Sequence, residues 1–352
     1  FPYTTLFRST PAEGETQVSR SVEAGVFEPV ETELAIDADD IVLATGSRPL
    51  ALPGNPFAGA LIDSTQALEL NTLPSSAVII GAGAVALEFA SLWNAAGCEV
   101  TLLIRKDRVL STWERRASMT LTRELKRRGV NVIARTAVDR VDTGANLGAT
   151  VHYRQGDSDE DRTAYGEVVL AAIGRVPNTD ADWFRSSGLK LDERGYVTVD
   201  GYGRTNLDGV WALGDITPGH ALAHRAFEQG ITIAEKIAGA DPKPVIDDTV
   251  PQVVFSFPEA ASVGLTLDQA KAREDVVEPK ETAYPMLSNA RMLMSGEGGS
   301  MTVVSGAFAN NPDMQVVLGV HIVSPIASDL IAEAEQLVGN RVPLADAARL
   351  IH

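Results

Sequence analysis

Residues 77–88 have the sequence AVIIGAGAVALE. The first four residues form an apolar run that predicts a buried strand, and the pattern from Leu87 to Ala96 predicts a helix. In a strand–turn–helix of this kind, Gly81 permits the tight turn, Gly83 lets the backbone approach a pyrophosphate, and the small Ala86 lets the helix pack on the sheet. The helix N-terminus then faces the phosphates. The segment therefore predicts a dinucleotide-binding turn, and the alternative is an ordinary βα turn.

The chain around this turn alternates between apolar runs and helical patterns. Strands are predicted at Ile41–Ala44, Val100–Ile104, Val130–Ala134, from Val168, and within residues 196–213. Helices are predicted at residues 114–128 and 221–239, and residues 50–74 are predicted to be a connector. Such alternation indicates βαβ units and a parallel sheet. From residue 250 onward the predicted elements are strands at Val253–Phe257, Met301–Phe308 and Val316–Val323 and helices at Ala327–Val338 and Leu344–Ile351. We therefore expect an α/β fold followed by an α+β domain.

One signature occurs twice in the chain. An apolar strand is followed by Gly46 and Pro49 in the first copy and by Gly174 and Pro177 in the second. The second copy closes the βα domain that opens at Ala77. The first copy should close a similar domain, for which too little sequence precedes it. We expect a further domain upstream of this sequence.

A carboxylate stands at the end of another predicted strand. Gly214 and Asp215 follow the apolar run that ends in Trp211-Ala212-Leu213. A carboxylate in this place can accept hydrogen bonds from a ribityl hydroxyl, and a glycine beside it allows close approach of the backbone. A simple aspartate turn is the alternative.

The end of the second strand of the dinucleotide unit bears on which dinucleotide it would bind. Copies that bind NAD carry an acidic residue here, which holds the ribose 2′-hydroxyl. This sequence has Ile104 instead, followed by Arg105, Lys106 and Arg108. Positive charge without a carboxylate suits a 2′-phosphate and favours NADPH over NADH. Solvated surface charges are the alternative.

Composition excludes several classes of protein. The net charge of −17 argues against general binding of nucleic-acid backbones. No apolar run reaches the roughly 18 to 20 residues of a membrane helix. The single cysteine, Cys98, precludes an internal disulfide, so we expect a cytoplasmic chain in which Cys98 is a small buried hydrophobe. The histidines lack the spacing of metal ligands, which predicts no metal site. Residues 1–10 are expected to be a non-native, adaptor-derived tail.

The order of these motifs is more specific than any one of them. Ala44-Thr45-Gly46, Gly81-x-Gly83-x-x-Ala86-x-Glu88, Gly174-Arg175-x-Pro177-Asn178 and Gly214-Asp215 follow one another as in the class I pyridine nucleotide–disulfide oxidoreductases. The chain resembles that family over residues 30–352. Within the family, Leu222-Ala223-His224 and residues 319–325 are most similar to the dihydrolipoamide dehydrogenases.

The resemblance implies a domain order and a set of binding residues. Residues 11–54 would be a remnant of an FAD domain, 55–179 an inserted NAD(P)-binding domain, 180–246 the returning FAD and central segment, and 247–352 a truncated dimer-interface domain. Thr45, Gly46 and Ser47 would line FAD, Asp215 would hold its ribityl chain, and Glu88 would face the nicotinamide. The other implied cofactor-binding residues are Gly81, Gly83, Ala86, Ile104, Arg105, Val138, Gly174, Arg175, Ala221, Leu222, Ala223 and His224.

The resemblance also implies a reaction and partners. Members of the family move electrons between NAD(P)H, FAD and a dithiol or disulfide, act as homodimers, here through residues 247–352, and can belong to 2-oxoacid dehydrogenase complexes. The family's C-x4-C pair and first G-x-G-x-x-G are absent from this sequence, and His352 matches only the first histidine of the family's H-x-H-P ending. We therefore expect no catalytic residue in this chain and no dithiol chemistry from it alone.

Three other functions remain open at this point. An NADPH-dependent mercuric, glutathione, mycothiol disulfide or quinone reductase would fit Arg105 and Ala86. A non-catalytic NAD(P)-binding module would leave Asp215 and His224 without a role. A flavin-free Rossmann dehydrogenase would need neither the Gly214-Asp215 pair nor the interface domain.

Overall fold

The computed structural model describes residues 37–144, 148–296 and 298–351. These residues form two compact units, one comprising residues 37–47 and 177–245 and the other residues 48–176 and 246–351. The predicted tail at residues 1–10, residues 11–36 of the predicted FAD-domain remnant, and His352 lie outside the described residues. The division into five segments made from the sequence stays a prediction.

The strands of the described residues range in length from 2 to 14 residues. They are β1 (Ile41–Leu43), β2 (Ser47–Pro49), β3 (Leu61–Ile62), β4 (Ser76–Ile80), β5 (Glu99–Ile104), β6 (Asn131–Ala134), β7 (Thr136–Thr143), β8 (Ala149–Gln155), β9 (Arg162–Gly166), β10 (Val168–Ala171), β11 (Arg175–Pro177), β12 (Val210–Ala212), β13 (Gln252–Val254), β14 (Glu259–Gly264), β15 (Val276–Pro285), β16 (Ser300–Phe308) and β17 (Asn311–Ser324).

The helices of the described residues are α1 (Ser64–Leu68), α2 (Ala84–Ala95), α3 (Arg115–Arg127), α4 (Asp182–Ser186), α5 (Ala223–Ile237), α6 (Leu267–Ala272), α7 (Ala290–Ser295), α8 (Ala327–Gly339) and α9 (Leu344–Ala347). Short 3-10 turns occur at Gly214–Ile216, Asp247–Thr249 and Met286–Ser288.

A parallel sheet with the order β3-β10-β4-β5-β6 forms the centre of residues 48–176. Strand β4 lies in the middle, and Val78 and Ile79 on its two faces are fully buried. Full burial of such a side chain stabilises the fold by roughly 1.5 to 3 kcal/mol. Helix α2 packs Ala86, Leu87 and other apolar residues into the same core. This arrangement confirms the α/β class predicted from the sequence.

The segment predicted as a connector, residues 50–74, contains two regular elements, so that prediction was wrong. Leu61 and Ile62 of β3 pair with β10 at the edge of the parallel sheet and are buried. Helix α1 follows at once, and Asp63 and Gln66 form a capping box at its start. A strand of two residues is too short to give a periodic signal, but the capping box is visible in the sequence.

An antiparallel sheet, β7-β8-β9, follows the parallel sheet in the chain. Ala149, Val151 and Tyr153 are buried, while the residues between them are more exposed. This alternation is the pattern of a sheet with one face on the core. This sheet was not predicted from the sequence.

Residues 246–351 form a second sheet, in the order β13-β14-β17-β16-β15, with every pairing antiparallel. Helix α8 packs Ile331 and Ala334 against it.

Two predicted elements are shorter than expected. Strand β13 ends at Val254 rather than Phe257, and helix α9 ends at Ala347 rather than Ile351. Beyond α9 the backbone forms turn-type bonds, and Ile351 is 99% exposed, so no burial extends the helix.

A buried histidine lies in this sheet. His321 is 1% exposed, its Nδ1 is 2.7 Å from Ser262 Oγ, and its Nε2 is 3.2 Å from the Leu265 carbonyl oxygen. Burial lowers the pKa of His321 below its usual 6.5, although the hydrogen bond to Leu265 and the charge of Glu114 act in the opposite direction. The folded state therefore holds the neutral ring.

This burial predicts an acid-sensitive stability. The pKa of His321 is lower in the folded state than the usual 6.5 of the unfolded state. As the pH falls below 6.5, the unfolded chain therefore binds a proton that the folded chain does not, which favours unfolding. We expect the free energy of unfolding to decrease as the pH falls below about 6.5. His321→Gln should flatten this slope in denaturant titrations repeated at several pH values. An unchanged slope would show that other groups cause the acid sensitivity.

The first unit is built around the parallel pair β1 and β12, with Ile41 opposite Val210. Residues 196–213 contain one strand, β12, and isolated bridges rather than the predicted run of strands. Aspartate side chains account for this difference. Asp192 and Asp200 each accept two backbone N–H bonds from the turns that follow them. Those N–H groups are therefore satisfied without a neighbouring strand.

Candidate functional site

The glycine turn after β4 is too closely packed for any side chain at its first position. Gly81 has a φ of +143°, and a Cβ there would lie 2.2 Å from the carbonyl oxygen of Ala172. Its N–H donates to the Leu103 carbonyl at 3.1 Å. The turn therefore fixes the start of α2 against the ends of β5 and β10.

The second glycine of the turn faces open space. Gly83 is the N-cap of α2, has an extended backbone, and makes no side-chain cap. No described atom lies within 4 Å of the place where its Cβ would be. Ala86, one turn into the helix, is fully buried. The first N–H groups of α2 thus border a space that an anionic ligand could enter. This arrangement fits the pyrophosphate of a dinucleotide.

The charged residues expected to select the dinucleotide differ in their surroundings. Ile104 is fully buried in the core, so only its main chain could contact a ligand. Arg105 and Lys106 are exposed. Arg108 is bound to Asp107 at 3.0 Å and to the Ser111 carbonyl at 3.1 Å. Arg105 is thus the better placed of the two arginines to meet a ligand phosphate.

Val138 packs against the buried cluster between the parallel and antiparallel sheets and is half-buried on β7. Its predicted contact with a cofactor stays a prediction.

Helix α2 makes a second set of contacts that the sequence did not reveal. A carboxylate oxygen of Glu88 accepts the N–H of Phe255 at 3.0 Å, and Ser91 Oγ accepts the N–H of Phe257 at 3.1 Å. The two side chains are three residues apart and therefore share one face of the helix. They bind the loop that follows β13, which explains why that strand ends early. The predicted approach of Glu88 to a nicotinamide stays a prediction.

Two of the motifs meet in the first unit. Thr45 Oγ1 donates to the Asn178 carbonyl at 2.9 Å, Asn178 Nδ2 donates to the Thr45 carbonyl at 2.9 Å, and the Asn178 N–H donates to the Gly46 carbonyl at 2.9 Å. Gly46 has a φ of +71° with open space where a Cβ would be. Asn178 thus holds the Thr45–Gly46 turn, a role that the sequence analysis did not assign.

Ser47 connects this turn to the third motif. Its hydroxyl donates to an oxygen of Asp215 at 2.5 Å. Asp215 lies in the 3-10 turn after β12, and the N–H of Gly214 beside it donates to Gln229 Oε1 at 2.8 Å. The structure therefore brings Thr45, Ser47 and Asp215 together, although they are far apart in the sequence.

The predicted residues at the start of α5 lie just beyond a loop held by a buried arginine. Leu222 caps α5, and Ala221, Ala223 and His224 are exposed. Arg225 is 5% exposed and donates to the Pro218 carbonyl at 2.6 Å and to Thr217 Oγ1 at 3.4 Å. Arg225 was not predicted from the sequence, because a charged residue is seldom buried and no neighbouring residue indicates it.

Gly174, the first residue of the Gly174–Asn178 motif, belongs to the second unit and is also exposed. Gly174 has a φ of +144° and open space where a Cβ would be, and its carbonyl accepts the N–H of Leu50 at 3.0 Å. Arg175 beside it is exposed. Both residues remain accessible to a ligand at the end of β10.

Cys98 is buried, with 4% of its surface exposed. Desolvation, followed by the charges of Glu167 and Glu99, raises its pKa to about 11. A thiol in this state is neutral at physiological pH and a poor nucleophile. The cytoplasmic location inferred from this single cysteine stays a prediction.

Within the described ranges, no three His, Cys, Asp or Glu side chains are grouped so that they could bind a metal ion. None of the described helices is long and apolar enough to span a bilayer.

Comparison with known families agrees with the order of these motifs. The family model for pyridine nucleotide-disulphide oxidoreductases matches residues 5–230, which is more than half of the chain. The chain belongs to the pyridine nucleotide-disulphide oxidoreductase family. The dimerisation domain of the same family matches residues 250–352. Both matches confirm the resemblance identified from the sequence.

Individual members of the family show the same likeness. Dihydrolipoyl dehydrogenase from Geobacillus stearothermophilus is 37% identical over 317 residues, covering 88% of this chain and 64% of that protein. Dihydrolipoyl dehydrogenase 3 from Pseudomonas aeruginosa is 36% identical over 301 residues, covering 85% and 62%. The chain thus spans less than two thirds of the length of these curated relatives.

Solved structures of family members share the fold. LpdA from Mycobacterium tuberculosis aligns with a TM-score of 0.78 and 29% identity, covering 90% of this chain and 66% of that one. The HOCl-induced flavoprotein disulfide reductase RclA from Escherichia coli aligns with a TM-score of 0.77 and 24% identity, covering 89% and 70%. At that identity, the likeness to RclA concerns the fold alone.

Proposed function

We propose that this chain binds FAD and NAD(P) and takes part in electron transfer between NAD(P)H and a dithiol or disulfide. The observation that carries the substrate class is the 37% identity to a dihydrolipoyl dehydrogenase. When bound, FAD would supply the redox chemistry that connects the nicotinamide to the sulfur substrate. The protein's own residues would hold the two cofactors in place.

The arrangement of the first unit fits FAD. The Thr45–Gly46 turn has open space above a glycine, and the Ser47 hydroxyl and Asp215 carboxylate lie side by side. In this proposal Asp215 accepts a hydrogen bond from the ribityl chain, and Ser47 orients the carboxylate. Residues 221–224, exposed at the start of α5, would lie by the flavin ring.

The turn of the second unit fits the pyrophosphate of a dinucleotide. Gly83 leaves the start of α2 uncovered, and Gly174 leaves the end of β10 uncovered. In this proposal the first N–H groups of α2 bind the phosphates, and Gly174 and Arg175 contact the nicotinamide nucleotide.

NADPH is proposed as the preferred nucleotide because Arg105 is exposed directly after β5. We expect Arg105→Gln to weaken NADPH binding by about tenfold, the loss of one charge-assisted hydrogen bond, while NADH binding changes little. Calorimetric titration with both nucleotides measures the difference. Arg115→Gln, a change at an exposed arginine of α3, is the matched control. If the unsubstituted chain bound NADH tenfold more tightly than NADPH, the proposal would be wrong.

A homodimer through residues 247–352 is proposed from the match to the dimerisation domain. A 2-oxoacid dehydrogenase complex is a further proposed partner, since such complexes contain a dihydrolipoyl dehydrogenase.

A second candidate function is that of an NADPH-dependent mercuric, glutathione, mycothiol disulfide or quinone reductase. The exposed Arg105, with a basic Lys106 beside it, is the observation that favours it.

Flavin reduction tests the proposed function. The chain would be purified with added FAD, and NADPH or NADH would be added without oxygen. The proposal expects bound flavin to lose its visible absorbance with at least one nucleotide. It also expects no lipoamide turnover, because Cys98 is the single cysteine of the sequence and dithiol exchange needs a pair. Bound flavin that neither nucleotide reduces would contradict the proposal.

A further inference from the structure

Arg135 is the single residue between strands β6 and β7. Strand β6 ends at Ala134 in the parallel sheet, and β7 begins at Thr136 in the antiparallel sheet. Arg135 has a φ of +57°, in the left-handed region that residues other than glycine seldom adopt. Such a conformation costs roughly 1 to 3 kcal/mol, and residues that hold it cluster at ligand sites. Glycine or asparagine would form this junction at lower cost, so the backbone alone does not explain an arginine here.

Both sheets hold the backbone of Arg135. Its N–H donates to the Lys106 carbonyl at 3.0 Å, and its carbonyl accepts the N–H of Gly156 at 2.8 Å. The next residue, Thr136, donates through Oγ1 to the Ile104 carbonyl at 3.1 Å. Because these bonds fix the main chain, binding of a ligand by Arg135 would require the ordering of its side chain alone.

Arg135 follows the end of β6 as Arg105 follows the end of β5. The two strands are parallel, and Ile104 and Ala134 are their last paired residues. Both arginines are exposed and come directly after this pair. Neighbouring strands are about 4.8 Å apart, which is well within the reach of two arginine side chains. One ligand group at this edge of the sheet could therefore contact both guanidinium groups.

Neither Arg105 nor Arg135 forms an ion pair with any residue that the structure describes. The acidic residues that follow them in the sequence already have partners. Asp107 pairs with Arg108 at 3.0 Å, and Asp139 pairs with an arginine of β8 at 2.8 Å. Two positive charges at adjacent strand ends repel each other, and an anion between them would replace that repulsion with attraction.

The edge that carries these arginines lies beside the glycine turn. The sheet places β4, β5 and β6 next to one another in that order, and the N–H of Gly81 donates to the Leu103 carbonyl at the end of β5. In a Rossmann unit, the ribose next to the pyrophosphate lies at the end of the second strand, which is β5 here. The neighbouring strand end beyond this ribose is that of β6, where Arg135 stands.

We propose that Arg135 is a specificity-determining residue that completes the binding site for the 2′-phosphate of NADPH. The inference rests on the proposed function, in which Arg105 contacts a phosphate at the end of β5. Arg105 donates to the phosphate oxygens from β5 and Arg135 from β6, since arginine forks match the geometry of a phosphate. The 2′-hydroxyl of NADH carries no charge and gains little from the second arginine. The left-handed backbone of Arg135 thus has a role in binding.

Binding of 2′,5′-ADP and 5′-AMP to the 352-residue chain tests this site. The two probes differ in the 2′-phosphate, and neither contains a nicotinamide. Arg135→Asn removes the charge and introduces a residue that tolerates the left-handed backbone, so we expect a folded variant of equal or greater stability. We expect affinity for 2′,5′-ADP to fall by about tenfold, the loss of a charge-assisted hydrogen bond, and affinity for 5′-AMP to change by less than about twofold. Calorimetric titration measures both affinities.

Two further variants serve as controls. Arg341→Asn makes the same change at another exposed arginine with a left-handed backbone, of φ +49°, between α8 and α9, and should leave both affinities unchanged. Arg135→Lys keeps the charge and should lose less affinity for 2′,5′-ADP than Arg135→Asn.

The inference would be overturned if Arg135→Asn weakened both probes equally or neither of them. A chain that binds NADH and reduces flavin but does not bind 2′,5′-ADP would also overturn it, and would leave the proposed electron transfer intact. A chain that shows the expected losses of 2′,5′-ADP affinity without flavin reduction would support the site and contradict the electron transfer instead.

Discussion

Gly81→Ala is expected to destabilise the chain by roughly 3 kcal/mol or more, from the cost of an unfavourable backbone angle together with overpacking. Residue 81 has a φ of +143°, which side chains rarely adopt, and its Cβ would lie 2.2 Å from the Ala172 carbonyl oxygen. The carbonyl belongs to the backbone directly after β10, and the Cβ would be fixed to the backbone of the glycine turn, so the contact cannot be relieved without a backbone shift. Denaturant unfolding followed by circular dichroism measures the change.

Gly83→Ala is the matched control, and it should separate folding from binding. Residue 83 has a φ of −89°, which any residue can adopt, and open space surrounds the added methyl group. We expect stability to fall by less than about 1 kcal/mol. Nucleotide affinity should fall by about tenfold or more, because the methyl group enters the space that the pyrophosphate would approach. Unchanged affinity in this variant would mean that the dinucleotide does not bind at α2.

Arg225→Ala is expected to have the second large effect. Arg225 is buried and donates hydrogen bonds to the Pro218 carbonyl and to the buried Thr217 hydroxyl, so its removal leaves both acceptors without this donor and a cavity where the guanidinium was. We expect a loss of about 3 kcal/mol in the free energy of unfolding. Tryptophan fluorescence measures the unfolding, because Trp183 and Trp211 lie in the same unit as Arg225 and contribute to the signal.

Arg225→Lys separates charge from geometry at this site. A lysine keeps the positive charge but has no planar fork to bind two acceptors. We expect a loss between that of the alanine variant and zero. If lysine and alanine destabilised the unit equally, the geometry of the guanidinium would account for the whole effect; if alanine were harmless, the hydrogen bonds of Arg225 would have no structural role.

Local signals in the sequence predicted the strand–turn–helix of the proposed dinucleotide site well. The strand, the glycine turn and the helix at residues 76–95 depend on neighbouring residues, and the apolar run and the spacing of Gly81 and Gly83 are both visible there. Strand β3 was missed because two residues are too few to show periodicity. The early end of β13 was missed because its cause, Glu88 and Ser91, lies far away in the sequence.

The candidate site shows the same division between local and distant information. The motifs around Thr45 and Asp215 could be recognised individually, but the bonds between them depend on the fold. Asn178 was visible as part of a motif, yet its hydrogen bonds to Thr45 and Gly46 span 133 and 132 residues, which no local pattern can reveal. Arg225 has no local signature at all, because its burial results from the path of residues 217–220.

Nucleotide binding by the chain tests the central claim most directly. Calorimetric titration with NADPH, in the unsubstituted chain and in Gly83→Ala, would be measured under identical conditions. We predict one saturable site whose affinity falls by about tenfold or more in the variant, while both proteins unfold at similar denaturant concentrations. A folded chain that binds neither NADPH nor NADH, or that binds them equally well with alanine at position 83, would contradict this account.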